Sequence, residues 1–115
     1  MLLSPALLHK LNDALIHRRV DEGFLLAQKF SKDIARLDPS NPYGAPYLLC
    51  IAQWIDIGYR DIAFFDSLLA RFSDVSRAQL PFRDYINLKM AEGYRAFASE
   101  DATNAIPIFD FVLQI

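Results

Sequence analysis

A chain of 115 residues with 12 basic and 14 acidic side chains, net charge −2, has no field to draw in nucleic acid or an anionic lipid surface. With 53% of its residues hydrophobic and 23% charged, it has the composition of a folded chain rather than a disordered one. Its length suits one domain that buries roughly two thirds of the surface exposed on unfolding. The single cysteine, Cys50, excludes an internal disulfide and a zinc site built on several thiolates. In Tyr47-Leu48-Leu49-Cys50-Ile51 it reads as a small buried hydrophobe, in keeping with a cytoplasmic, reducing environment. The opening "MLLSPALL" has neither the basic lead nor the small-residue cleavage site of a signal peptide. The longest apolar run, Pro46 to Ile51, is far short of the ~20 residues a membrane span needs, so no membrane partner is expected.

Ser4-Pro5 reads as an N-cap followed by proline at the first helical position, and Leu8, Leu11 and Leu15 place one apolar stripe on the helix that follows. His17, Arg18 and Arg19 suit its C-terminal end. After "VDEG" the stripe resumes as Phe24, Ala27, Ile34 and Leu37, until the prolines of "LDPSNP" end it. Residues 45–57, "APYLLCIAQWIDI", are apolar nearly all round, as expected of a helix packed on several sides. Gly58 to Asp61 is a turn, with Asp61 expected to cap a helix whose inward stripe is Ile62, Phe65, Leu69 and Phe72. Pro81 restarts the chain; Tyr85, Leu88, Tyr94 and Phe97 run along a fifth helix interrupted by Gly93. Beyond "ASEDATN", Ala105, Phe109, Val112 and Leu113 form a sixth stripe, its helix delayed to about Thr103 by Pro107. Two-residue alternation never persists, so the chain is expected to be all-α.

The six helices group as three hairpins, at 4–39, 45–73 and 80–115. Ala27, Ala63 and Ala105 stand 36 and 42 residues apart, close to the ~34-residue period of a helix–turn–helix repeat. On these alanines, on Tyr47, Trp54, Gly58 and Ala70, on the closing "ARLDPSNP", and on Gly93, Asp101 and Phe109, the chain resembles the tetratricopeptide repeat family. Arg18, where an aromatic is usual, and Pro107 depart from that pattern. The resemblance implies stacked antiparallel hairpins, a fragment of a right-handed α-solenoid, with a non-catalytic role in protein–protein interaction. It also implies a concave binding face to which His9, Asn12, Ile16, Arg19, Leu48, Ala52, Ile55, Asn87, Met90, Tyr94 and Phe97 would turn. That set lacks the lysines, arginines and asparagines with which members of the family grip a terminal carboxylate, so a peptide with apolar anchors or a neighbouring domain is the expected partner.

Sites of other kinds are thin. His9, Asp13 and His17 share a helical face as metal ligands might, but no fourth ligand accompanies them and no metal or other cofactor is expected. Arg18 and Arg19 could grip an anion, though a solvated helix end is the plainer reading. Glu100-Asp101 with Asp66, or Asp33 with Asp38, are not set opposite each other by any motif, and no phosphate loop or nucleophile elbow occurs. No enzyme is expected. Phe109, Phe111, Val112, Leu113 and Ile115 leave the last helix apolar on more than one side, where the end of a stack is ordinarily polar. The chain is therefore expected to be the N-terminal part of a longer protein, whose output could be regulatory, even transcriptional, or to cover this surface with a second copy.

Overall fold

Leu7, Leu11 and Ala14 carry the first helix into the core. In the computed structural model, which describes residues 5–75, 79–99 and 102–114, α1 spans Pro5–Ile16 and buries these three on one stripe. Leu8 and Leu15, expected at its centre, lie on its flanks, partly buried against the core. The expected cap Ser4 is outside the described residues.

α1 ends in a turn that recurs later in the chain. The Arg19 N–H donates to the Ala14 carbonyl at 2.8 Å and the Arg18 N–H to that of Leu15 at 3.3 Å, with Arg18 in left-handed backbone at φ +56°. α4, Gly44–Ile57, closes the same way: the Tyr59 N–H bonds the Trp54 carbonyl at 3.0 Å, the Gly58 N–H that of Ile55 at 3.1 Å, and Gly58 sits at φ +139°. This Schellman pairing satisfies carbonyls the helix would otherwise leave open. Glycine takes such backbone freely, whereas a residue with a Cβ meets a cost of about 1–2 kcal/mol.

The second helix, expected to be continuous to Leu37, is two: α2, Val20–Lys29, and α3, Ser31–Ala35. The chain bends at Phe30 (φ −106°, ψ 13°); α2 packs on α1 and α4, while α3 packs on α5 (Ala63–Ser73) with Ile34 buried. After α3, Asp38 accepts the Ser40 N–H at 2.9 Å and its hydroxyl at 2.8 Å, and Asn41 Oδ1 accepts the Tyr43 N–H at 2.9 Å. These two Asx turns carry "LDPSNP" round to α4. The backbone N–H of Ser40, then its hydroxyl, hold the Asp38 carboxyl below its ordinary pKa.

α5 spans Ala63–Ser73, buries Phe65, Leu68 and Phe72, and begins on Ile62 without a side-chain cap. Asp61 therefore does not cap it, and Leu68 rather than Leu69 is its deepest leucine. Arg71 reaches back from α5 to the Ala35 carbonyl at 2.8 Å, closing the end of α3. α6, Phe82–Ala98, runs unbroken through Gly93. That glycine is a contact point, not an interruption: a Cβ there would lie 2.6 Å from the Phe109 ring. α7, Ala102–Leu113, starts one residue before the expected point and carries Pro107 inside it, so one bond to the preceding turn is missing. The three aligned alanines do not share an environment, since Ala27 and Ala105 are buried and Ala63 is exposed.

Packing follows chain order. α4 touches α1, α2, α5 and α6; α6 touches α4, α5 and α7; α7 rests on α6 as its one substantial neighbour. No strand occurs among the described residues. At the centre, the Trp54 indole, fully buried, meets Phe24 edge-on at 5.7 Å and lies directly over Gly23, where a Cβ would fall 2.1 Å from the ring. Gly23→Ala is thus expected to force the indole aside and destabilise the fold by about 1–3 kcal/mol. Urea unfolding followed by circular dichroism measures this, and an unchanged midpoint would show that α2 can move away freely.

Candidate functional site

α4 is buried on most of its circumference, and the exceptions mark where the molecule is open. Leu49, Gln53 and Asp56, three and four residues apart, are not buried, and Ile57 extends this line at the helix end. Opposite them, α1 and its turn bring Leu15 and Arg18, and α6 brings Tyr94. Leu15, Arg18, Gln53, Asp56, Ile57 and Tyr94 together line a cavity of about 140 Å³. The Arg18 guanidinium donates one N–H to the Leu15 carbonyl at 3.1 Å. Gln53 and Asp56 have no hydrogen-bond or ion-pair partner among the described residues. The Tyr94 ring is held edge-on by Phe109 at 5.3 Å.

Of the residues expected on a concave face, this cavity gathers Tyr94 alone. Leu48, Ala52 and Ile55 are 0%, 0% and 2% exposed; they are core, enclosed by the chain itself. The correction is one of register: stepping one residue along α4 turns the helix by about 100°, and the open positions are Leu49, Gln53 and Asp56. A signal for them stood in the sequence, because Gln53 and Asp56 are the hydrophilic interruptions of "APYLLCIAQWIDI" and a buried helix has little reason to carry either unpaired. Asn12, Asn87 and Met90 are half-buried; His9, Ile16, Arg19 and Phe97 are exposed.

The other candidates are taken up locally. Arg19 bonds Asp13 and, at 2.7 Å, Glu22, so it does not act with Arg18. The Arg19 guanidinium holds the Asp13 carboxyl below its usual range. His17 Nδ1 lies 2.9 Å from the Asp13 carbonyl and 3.2 Å from its carboxylate. Among the described residues no three potential ligands group as a metal site. Arg95 of α6 grips Asp66 of α5 with two bonds, at 2.8 and 3.1 Å. Glu100 and Asp101 lie outside the described residues, so the carboxylate grouping that included them does too.

A second surface lies on α6 and α7. Phe82, Phe97, Ile106, Phe111 and Leu113 are all exposed, Leu113 to 83%, and Ala105 is the one buried side chain from residue 103 to the end of α7. Tyr85, Lys89, Pro107, Ile108 and Phe111 form an apolar groove of about 260 Å³ there. Lys89 on its rim is paired with Glu92 at 3.2 Å. A further cleft of about 330 Å³ lies between loops, lined by Asp38, Pro39, Ser40, Val75, Gln79 and Leu80.

Comparison with protein-family models, with curated proteins and with solved structures found no significant match. Among the described residues no helix is long and apolar enough to cross a membrane.

Cys50 is buried on α4, and burial pushes its thiol up to about 12. Since the thiolate is the reactive form, the folded protein at pH 8 is expected to leave a thiol-reactive chromogenic disulfide unconsumed, and to release one equivalent of chromophore once guanidinium unfolds it. Rapid reaction of the folded protein would contradict that burial.

Proposed function

We propose that the chain is a non-catalytic protein-interaction module of tetratricopeptide-like hairpins, 4–39, 45–73 and 80–115. On this reading it binds a peptide or a neighbouring domain on the face left open by α1, α4 and α6. The observation that carries the reading is the cavity at Leu15, Arg18, Gln53, Asp56, Ile57 and Tyr94: three helices from three hairpins meet there, apolar walls surround polar groups, and Gln53 and Asp56 have no partner among the described residues. Packing in chain order and the repeated turn at Arg18 and Gly58 support a repeating hairpin unit. The partner face is accordingly redrawn around Tyr94, keeping the half-buried Asn12, Asn87 and Met90 and with Gln53 and Asp56 in place of Leu48 and Ile55.

The α6–α7 surface supports a second reading, in which the chain is a self-association or regulatory module of a larger protein and this surface is its contact. Its exposed Phe111 and Leu113 form part of an apolar area of the kind that marks an interaction site.

Selection of binders from a random peptide display library separates the two. If the open face is the site, Gln53→Ala with Tyr94→Ala will weaken selected peptides at least fivefold with helical circular dichroism retained, and Phe111→Ser with Leu113→Ser will not. The reverse pattern, together with concentration-dependent sedimentation abolished by the α7 changes, would favour the second reading and defeat the first.

A further inference from the structure

Arg18 occupies the position that Gly58 holds in the next hairpin. Both residues take left-handed backbone, at φ +56° and +139°, and both turns close with the same pair of hydrogen bonds. Glycine is the residue such a turn favours. An arginine standing there against that preference points to a use for its side chain. That side chain lines the cavity between α1, α4 and α6, gives one N–H to the Leu15 carbonyl, and has no ion-pair partner among the described residues.

The cavity's chemistry narrows what would fill it. At about 140 Å³ it is close to the ~150 Å³ that holds a benzene ring and well below the roughly 300–1,000 Å³ of sites for larger ligands. It therefore suits one residue-sized group. Its charged side chains are one cation, Arg18, and one anion, Asp56, not bonded to each other, with Gln53 beside them and Leu15, Ile57 and Tyr94 as walls. A simple anion would be attracted by Arg18 and repelled by Asp56, and a simple cation the reverse. A group carrying both signs, or an ammonium next to a carbonyl dipole, satisfies both.

We propose that this cavity recognises an α-amino-acid unit: its ammonium on Asp56, its carbonyl or carboxylate oxygen on Arg18, and its side chain against Leu15, Ile57 and Tyr94. The unit is supplied either by a free amino acid or by the amino-terminal residue of a peptide. The assignment rests on the open face being the binding face, and it names the ligand chemistry of that face.

The test is a titration of the full chain at pH 6.5, where an α-amino group is largely protonated, followed by the backbone amide resonances of Gln53, Asp56 and Tyr94. The probes are tripeptides Xaa-Ala-Ala with Xaa alanine, valine, leucine or phenylalanine, their N-acetylated forms, and the four free amino acids. Free-amine probes are expected to shift those resonances, acetylation to weaken binding at least tenfold, and Asp56→Asn to do the same. Arg18→Gly is expected to move two readouts in opposite directions, lowering affinity at least threefold while raising the thermal unfolding midpoint. Binding of tripeptides but not free amino acids identifies a peptide terminus; the reverse identifies a free amino acid. Acetylated probes binding as tightly as free amines, full affinity in Arg18→Gly, or no shift with any probe would each overturn the proposal. The first of these leaves the open face standing as a peptide site. The absence of any shift, combined with displayed peptides indifferent to Gln53 and Tyr94, removes both.

Discussion

The fold turns on an indole with no room beside it. Trp54 lies so close to the backbone of α2 that residue 23 must lack a side chain, and this contact sets how near α2 approaches α4. A buried tryptophan removes roughly 150–250 Å² from water, worth about 4–6 kcal/mol before entropy is subtracted. That is large beside the net stability of a small domain. Around the indole, α4 buries Tyr47, Leu48, Cys50, Ile51, Ala52 and Ile55 in several directions, so α1, α2, α5 and α6 all take their positions from this one helix.

Two charged clamps between helices lie on the outside. Arg71 closes the end of α3 and Arg95 clamps Asp66. The first joins α5 to α3 and the second α6 to α5, and each is partly exposed. Exposed ion pairs contribute little to stability, so these contacts align neighbours whose attraction is already supplied by apolar burial. The α4 face presents the opposite case: Gln53 and Asp56 remain in contact with solvent and leave the adjacent cavity polar on one side and oily on the other.

Helix content and most boundaries could be read from residues whose effect is local. The prolines of "LDPSNP", Pro81 and Gly58 each act on the backbone at their own position, and the end of α3, both ends of α4 and the start of α6 fall close to where these residues put them. What could not be read was rotation about each helix axis. A helix apolar nearly all round gives a weak directional signal, and placing Leu48, Ala52 and Ile55 on the open side required knowing which neighbours α4 would have. The same limit moved the α1 stripe from Leu8 and Leu15 to Leu7 and Ala14. Gly93 was misread because a glycine within a helix looks the same in sequence whether it breaks the helix or admits a ring. The cavity is only half visible in the sequence: Tyr94 stands out, while Arg18 reads as a helix-end charge, because sequence does not show the backbone conformation of the turn that carries it.

The uneven support of α7 carries through to how the molecule opens. Every other long helix is held from at least two sides, whereas α7 leans on α6 through the Phe109 and Phe111 rings and has lost one internal bond at Pro107. Opening free energies within a protein grade from near zero at weakly held elements up to the global value in the core. The gradient here falls from α4 outward to α7, so that α7 is expected to detach and return many times for each complete unfolding, while the amides of α4 are expected to exchange only when the whole domain comes apart.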